Sequence, residues 1–170
     1  EPVVTTMREE GIPFLGILYA GIMITSQGPK VLEFNCRLGD PEAQVLLIRL
    51  ESDLIEICYK LLDQNLSEHD VCWSKSSSVG VVVAAKGYPD AYRTGYPLIS
   101  SINSMHDVSV FHGGTAMRDG TLIGSGGRLF TVVALNGALN IARRTVYKAL
   151  ENVECTQVFY RSDIANTDNT

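Results

Sequence analysis

The sequence predicts an α+β fold in two parts: an antiparallel hairpin with helices, followed by a small α+β unit. Two strand-like apolar runs, residues 16–25 and 30–37, flank the segment Ser26-Gln27-Gly28-Pro29, which is typical of a hairpin turn. Apolar residues at helical spacing follow in residues 54–62. Strand-like runs separated by turns come after residue 78 and end in a further helical stretch. This order predicts a sheet with one or two covering helices.

The strands of the second part follow from local patterns. Residues 79–85 are a strong apolar strand, and residues 108–111 are a short one. The Asp-Gly pair within residues 118–121 is a hairpin signal, and residues 129–135 form another apolar strand. The last helix is expected to run to about residue 152. The face that we expect it to bury consists of Leu139, Ala142, Val146 and Leu150.

Helix starts are predicted from capping residues. Asp40 is a good N-cap, and Pro41 suits the first position of the helix that follows it. Ser52 is expected to cap the next helix. Asn136 or Gly137 is expected to cap the last one.

Composition limits the classes of function. The chain has 170 residues, 45% of them hydrophobic and 19% charged, which is typical of a globular protein of one domain or of one small domain plus part of another. A net charge of −5 argues against a nucleic-acid partner. No apolar run is long enough for a membrane span, and we expect no membrane partner. The four cysteines lack metal-site or redox spacing, which favours free thiols in a reducing compartment such as the cytosol.

The ends of the chain suggest a piece of a longer protein. Residues 3–10 resemble the end of a helix that Gly11 terminates. The first residues have no signal-peptide pattern and no initiator Met, so we expect a preceding segment. The polar residues 64–78 are expected to be a linker or long loop, with a soft domain boundary near residues 50–66.

The most informative pattern lies on the second predicted strand. Because side chains alternate along a strand, Glu33, Asn35 and Arg37 are expected on one face, about 6.6–7 Å apart. A carboxylate and an amide oxygen at that spacing suit a hard cation that also binds substrate phosphates. An arginine beside them suits a phosphate or an acyl phosphate. The side chains on the opposite face are expected in a core: Leu32, Phe34 and Cys36.

The residues alone are also consistent with two simpler interpretations of this pattern. The polar face is equally typical of a solvent-facing strand with an incidental ion pair. Asp40 and Glu42, taken alone, are more typical of helix caps than of ligands. The helix start at residues 40–41 is a further candidate for binding an anion through its backbone N–H groups.

The run E-F-N-C-R-L-G-D-P-E-A-Q in residues 33–44 closely resembles the signature of the phosphoribosylamine–glycine ligase family, also called glycinamide ribonucleotide synthetase, of the ATP-grasp superfamily. The resemblance extends in order through residues 1–164. Biotin-carboxylase-like relatives share E-x-N-x-R but continue with a different sequence. The other stretches similar to the family are residues 16–23, 85–89, 111–116, 126–128 and 160–164.

The resemblance implies the domain organisation. Residues 1–54 would be the C-terminal end of an ATP-grasp domain built of antiparallel strands and helices. Residues 55–164 would be the small α+β C-terminal domain of the synthetase, and residues 165–170 a disordered tail. The N-terminal domain, the lid over ATP and the first half of the grasp would precede this chain. In the animal-type form of the family, two later purine-pathway activities are fused to the ligase.

The resemblance also implies a reaction and the residues that serve it. The family joins glycine to 5-phosphoribosylamine with ATP, through a glycyl phosphate, to give glycinamide ribonucleotide, ADP and phosphate. Glu33 and Asn35 would hold Mg²⁺ or Mn²⁺, and Arg37 would neutralise the transferring phosphoryl group. The pocket for glycine and phosphoribosylamine would be shaped by Gly39, Asp40, Pro41 and Glu42.

The second half offers a weaker candidate site. Gly126, Gly127 and Arg128 could cradle a phosphate with backbone N–H groups and a guanidinium, or they could be a glycine-rich hairpin with a surface arginine. His112, next to Gly113 and Thr115, could line the same cleft or be a structural histidine.

One position departs from the wider superfamily, whose members often place an acidic metal ligand on the preceding strand. The nearest residue here is Gly21, so a further ligand must lie elsewhere. The expected partners are ATP, glycine, 5-phosphoribosylamine and the missing N-terminal regions. The alternative is a non-catalytic fragment that only folds, assembles or binds a phosphorylated ligand.

Overall fold

The computed structural model describes residues 2–100 and 107–166, and it confirms an α+β fold. The chain divides into two compact units: unit 1 comprises residues 1–42 and 50–73, and unit 2 comprises residues 43–49 and 74–170. The predicted domain boundary between residues 54 and 55 stays a prediction. Most of the predicted tail, residues 167–170, lies outside the described residues.

The predicted helices and strands occur in the predicted order along the chain. The helices are α1 (Pro2–Glu9), α2 (Glu42–Leu47), α3 (Leu54–Leu62) and α4 (Leu139–Leu150). The strands are β1 (Tyr19–Thr25), β2 (Gly28–Asn35), β3 (Ser77–Ala85), β4 (Ile99–Ser100), β5 (Ser109–His112), β6 (Thr115–Arg118), β7 (Thr121–Gly124), β8 (Arg128–Asn136), β9 (Val153–Glu154) and β10 (Val158–Phe159). Three short strands, β4, β9 and β10, were not predicted.

Unit 1 contains the predicted hairpin, but its turn is shorter than predicted, because Gly28 and Pro29 already belong to β2. Strands β1 and β2 pair antiparallel, with Tyr19 opposite Asn35 and Gly21 opposite Glu33. A register shift follows Gly21, which is typical of a β-bulge. The predicted stop of the first helix is also confirmed, because Gly11 has a φ of +78°.

The prediction that one face of β2 is buried was wrong for the described residues. Leu32 is 65% exposed, Phe34 is 46% exposed, and Cys36 is exposed. The reason is that β1 and β2 form a sheet of only two strands, which is too narrow to bury its own apolar side chains. The exposed apolar residues of the hairpin are Ile22, Met23, Ile24, Val31, Leu32 and Phe34.

We expect this hairpin to drive self-association of the isolated chain, because contiguous apolar surface and open strand edges favour aggregation. Leu32→Lys should increase the monomer fraction in sedimentation velocity. Met117→Lys is the matched control, since Met117 is 66% exposed on another hairpin, β6–β7. A monodisperse unsubstituted chain, or an equal effect of both changes, would contradict the expectation.

Helix α3 begins one residue later than its predicted cap implies. Asp53, not Ser52, is the N-cap: its Oδ1 accepts hydrogen bonds from the backbone N–H of Ile55 at 2.7 Å and of Glu56 at 3.2 Å. Ser52 instead accepts a 2.8 Å hydrogen bond from the backbone N–H of Cys72. The cap therefore moved because Ser52 is engaged by a distant part of unit 1.

The segment predicted as a linker is folded onto unit 1 over much of its length. A 3₁₀ turn, Glu68–Asp70, places Asp70 beside Lys60 of α3. The Asp70 carboxylate also accepts hydrogen bonds from the backbone N–H and the hydroxyl of Ser67, at 2.9 and 2.8 Å. An isolated bridge pairs Leu50 with Trp73. Polar composition concealed this structure, because ion pairs and caps rather than apolar contacts hold the loop.

The Lys60 contact makes unit 1 sensitive to acid. The hydrogen bond from Lys60, followed by those from Ser67, lowers the pKa of Asp70 to about 2. Since the folded pKa lies below the unfolded value, the contribution of Asp70 to stability is complete above about pH 4 and is lost as the pH falls toward 2. The urea midpoints of the unsubstituted chain and of Asp70→Asn should therefore become more similar as the pH falls below about 4.

The matched control for this experiment is Asp63→Asn, which removes the same charge from an exposed residue near the end of α3. If the urea midpoints of the unsubstituted chain and Asp70→Asn differ by the same amount from pH 6 to 2.5, the lowered pKa of Asp70 is contradicted.

Unit 2 is built on a four-stranded antiparallel sheet in the order β10-β3-β8-β5. Helix α4 packs on it through Ala142, Val146 and Leu150, which are almost fully buried, as predicted. Leu139 is 38% exposed, contrary to prediction, because α4 begins there at the edge of the packed face. The N-cap is Ala138, so the predicted caps at residues 136 and 137 were wrong.

The Asp-Gly turn is confirmed between β6 and β7. Asp119 and Gly120 have φ values of +49° and +75°, as a type I′ turn requires. In the described residues, no helix has the length and apolar character needed to cross a bilayer.

Helix α2 begins at Glu42, two residues after its predicted cap. Asp40 therefore does not occupy the N-cap position, and Pro41 precedes the helix rather than opening it. The bond between them is cis. With only six residues, α2 has too few aligned peptides for the predicted anion site at its start.

Residues after Glu42 are tied into unit 2 by polar contacts. Ser78 donates a 2.6 Å hydrogen bond from its hydroxyl to the carbonyl of Val45. Arg49 donates from Nε to the carbonyl of Ser76 at 2.8 Å. Gly80 permits this close approach, because a Cβ there would lie 2.6 Å from Val45 Cγ1.

Candidate active site

Glu33 and Asn35 lie on one face of β2, as strand alternation predicts. Asn35 donates a 2.9 Å hydrogen bond from Nδ2 to Oε1 of Glu33. Glu33 is exposed and Asn35 is partly buried, so the pair remains accessible to a ligand. The contact orients an amide and a carboxylate together, and oxygens of both groups are ligands that Mg²⁺ prefers.

The chain supplies few protein ligands for a metal ion at this point. In the described residues, no group of three or more His, Cys, Asp or Glu side chains could hold one. Two protein ligands fit an ion that completes its shell with water and substrate phosphates, as Mg²⁺ does. The donor set therefore suits a metal–nucleotide complex better than a closed metal site.

Arg37 is separated from this pair in the secondary structure. Strand β2 ends at Asn35, so the alternation that was expected to align Arg37 with Glu33 does not extend to it. Its guanidinium Nη1 donates a 2.8 Å hydrogen bond to the carbonyl of Leu38, and the residue is exposed. The structure thus brings together two of the three predicted residues.

Gly21 is buried directly across the hairpin from Glu33. A Cβ at Gly21 would lie 3.1 Å from Cγ of Glu33. A larger side chain at this position would therefore require the stem of Glu33 to shift.

Glu42 joins this end of the hairpin through Tyr19. The Tyr19 hydroxyl donates a 3.3 Å hydrogen bond to Oε1 of Glu42. Partial burial raises the pKa of Tyr19 above its ordinary value; the charge of Glu42, the hydrogen bond to it and the charge of Glu33 raise it further. Both carboxylates therefore act on one phenol.

Gly39 is buried under the same carboxylate. A Cβ on Gly39 would lie 2.1 Å from Oε2 of Glu42. Asp40 is exposed, and Pro41 is partly buried in the turn before α2. Of the four residues predicted for the substrate pocket, the structure therefore places Gly39 and Glu42 in direct contact.

The second candidate site brings its two predicted segments together within unit 2. Gly113 donates a backbone hydrogen bond to Leu129 at 2.8 Å, and Gly114 donates one to Arg128 at 2.7 Å. His112 Nδ1 lies 3.0 Å from the Thr115 hydroxyl, and both residues are accessible to solvent. The residues that sequence reasoning grouped by resemblance are thus neighbours in the fold.

Three amides of the glycine-rich turn donate hydrogen bonds to backbone carbonyls. The N–H groups of Ser125 and Gly126 donate to the carbonyl of Gly114 at 2.8 and 3.0 Å, and that of Gly124 donates to Tyr96. Gly127 is buried, and a Cβ there would lie 2.3 Å from the ring of Tyr88. These glycines therefore allow close packing, and Arg128 is exposed. Phosphate binding by Gly126, Gly127 and Arg128 stays a prediction.

Sequence reasoning missed Tyr19. It lay within a stretch noted only for its resemblance, and a tyrosine in an apolar strand gives no local signal of function. The signal that could have found it was the register of the hairpin, which sets Tyr19 opposite Asn35.

Comparison with known proteins accounts for this arrangement. A family model described as phosphoribosylglycinamide synthetase, C domain, matches residues 78–167, more than half of the chain. The chain belongs to the phosphoribosylglycinamide synthetase family. A second model of this family, for its ATP-grasp (A) domain, matches residues 1–43, which include the Glu33–Asn35 pair.

Relatives of the family match nearly the whole chain. Phosphoribosylamine–glycine ligase of Allochromatium vinosum is 44% identical over 169 residues, which cover 98% of this chain and 39% of the relative. The ligase of Caldanaerobacter subterraneus is 41% identical over 97% of this chain and 39% of the relative. A crystal structure of the Thermotoga maritima ligase is 31% identical with a TM-score of 0.77, covering 92% of this chain and 39% of that one. The chain therefore spans 39% of the length of these relatives.

The contact between the glycine segments of unit 2 should tolerate no added methyl group. A Cβ at Gly114 would lie 2.7 Å from Cα of Gly126 and 2.8 Å from the carbonyl oxygen of Arg128, both backbone atoms. We expect Gly114→Ala to lower the free energy of unfolding by about 1–3 kcal/mol, because backbone segments must separate.

Gly137→Ala is the control, since no described heavy atom lies within 4 Å of the added Cβ. In chemical unfolding, the midpoint of Gly114→Ala should be clearly lower than that of Gly137→Ala. Equal midpoints would show that the glycine contact is not tightly packed.

Proposed function

We propose that this chain is the C-terminal part of an ATP-dependent ligase that joins glycine to 5-phosphoribosylamine. The observation that carries the proposal is the hydrogen-bonded Glu33–Asn35 pair within the segment matched by the family's ATP-grasp domain. The names of the matched relatives support the same reaction. The products are glycinamide ribonucleotide, ADP and inorganic phosphate.

The reaction proceeds in two balanced steps. A carboxylate oxygen of glycine attacks the γ-phosphorus of ATP, and the bond to ADP breaks, giving glycyl phosphate. The amine of phosphoribosylamine then attacks the carbonyl carbon, phosphate leaves with one former carboxylate oxygen, and a proton is lost from the nitrogen. Such chemistry depends mainly on positioning and charge neutralisation.

Each candidate residue of unit 1 has a role in this scheme. Glu33 and Asn35 hold Mg²⁺ or Mn²⁺, which neutralises charge on the ATP phosphates when bound. Arg37, an exposed guanidinium, neutralises the transferring phosphoryl group. Gly39, Asp40, Pro41 and Glu42 shape the pocket for the amine-bearing substrates.

Unit 2 contributes a second set of proposed substrate-binding residues. Arg128 binds a substrate phosphate through its guanidinium, and His112 and Thr115 present a hydrogen-bonded pair beside it in the chain's fold. Gly113, Gly126 and Gly127 line the same substrate-binding site, and their lack of side chains lets the backbone segments approach closely. The four cysteines in the described residues are free thiols, which supports a cytosolic setting for the enzyme.

A composite ligase tests the proposal: the preceding part of the Allochromatium vinosum relative joined to this chain. It should restore growth without purines to a bacterium lacking the ligase, and it should release phosphate only with ATP, glycine and phosphoribosylamine together. Glu33→Gln should lower kcat/KM on the order of 100-fold, because the metal loses a carboxylate ligand. Glu56→Gln, at an exposed glutamate of α3, is the matched control.

The same experiment addresses the second candidate function, a non-catalytic module. The exposed apolar hairpin and the 39% coverage of relatives favour inactivity of the chain by itself. The chain alone should therefore fail to restore growth. An inactive composite that is folded would overturn the ligase proposal, and activity insensitive to Glu33→Gln would overturn the role of the pair.

A further inference from the structure

Tyr19 occupies a position that the proposed roles do not use. It is the first residue of β1, it lies opposite Asn35 in the hairpin register, and it is partly buried. Its hydroxyl donates to Oε1 of Glu42 across 23 positions of sequence. The phenol thus connects the strand end that carries the metal pair with the residue that opens α2.

The two oxygens of the Glu42 carboxylate have different surroundings. Oε1 accepts the hydrogen bond from Tyr19, and Oε2 lies over Gly39, which leaves room for it because it has no Cβ. A glutamate side chain has several rotatable bonds, and ordering it on substrate binding costs free energy. Contacts that order it beforehand reduce this cost.

The hydroxyl of Tyr19 acts as the donor in its contact with Glu42, at 3.3 Å from Oε1. A neutral phenol has one O–H to donate. A protonated phenol donates to one carboxylate oxygen and leaves the negative charge of Glu42 in place. That charge suits a cationic ligand.

We propose that Tyr19 is a positioning residue that orients the Glu42 carboxylate to bind the ammonium group of the amino-acid substrate, glycine. The proposal rests on the proposed function, and it adds a residue to the amine-binding side of that site. Tyr19 acts through Glu42 and touches no reacting atom. Removing its hydroxyl therefore affects recognition of glycine far more than recognition of ATP.

Tyr19→Phe in the composite ligase is the direct test, because it removes one hydroxyl and keeps the ring. We expect the KM for glycine to rise about tenfold, as for loss of a hydrogen bond to a charged group, while the KM for ATP stays within about twofold. Tyr59→Phe is the matched control, since Tyr59 is a 66% exposed tyrosine of unit 1.

A double-substitution cycle separates positioning from general structural damage. Glu42→Gln should raise the KM for glycine more than Tyr19→Phe does, and adding Tyr19→Phe to Glu42→Gln should cause no further rise. Circular dichroism of each variant checks that the fold is retained. This absence of additivity is expected only if Tyr19 acts through Glu42.

Other outcomes overturn specific claims. Additive effects, or equal rises in the KM for glycine and for ATP, would overturn the role of Tyr19 while an active unsubstituted composite upholds the proposed function. A composite without glycine-dependent turnover would overturn the proposed function, and the assignment of Tyr19 with it.

Discussion

The antiparallel register of one hairpin is the constraint on which the candidate site depends. It places Gly21 opposite Glu33 and Tyr19 opposite Asn35, so that a buried glycine leaves room for the Glu33 stem and a phenol stands at the strand end. A slip of one residue would turn Glu33 and Asn35 to the other face and separate them from that phenol. The β-bulge lies after Gly21, so the register shift affects only the part of the hairpin between these two pairs and the turn.

Much of the fold was predictable because it follows local rules. The Asp-Gly turn, the buried stripe of α4 and the Glu33–Asn35 contact all depend on residues close in sequence. The predictions that were wrong depended on distant partners. Ser52 was displaced as a cap by its bond to Cys72, and the polar loop was ordered by Lys60 and Asp70.

The contrast between local patterns and distant partners also applies to the candidate sites. Strand alternation was sufficient to predict the Glu33–Asn35 pair, but the Tyr19–Glu42 bond joins residues 23 positions apart and could be seen only in three dimensions. Composition likewise could not distinguish glycines that bind phosphate from glycines that pack. In the structure Gly114 and Gly126 approach each other and neighbouring amides donate to backbone carbonyls, contacts that the sequence did not indicate. The exposed hairpin reflects the same limit: its apolar pattern predicted burial without indicating what would cover it.

The fate of the glycine oxygens tests the central claim most directly. Glycine labelled with ¹⁸O in its carboxylate is given to the composite ligase with ATP and phosphoribosylamine, and the released phosphate is analysed by mass spectrometry. The account predicts one ¹⁸O atom in each phosphate, and almost no labelled phosphate from the Glu33→Gln composite. Unlabelled phosphate from an active composite would contradict transfer of the phosphoryl group to glycine. Undiminished labelling in Glu33→Gln would contradict the role assigned to this hairpin.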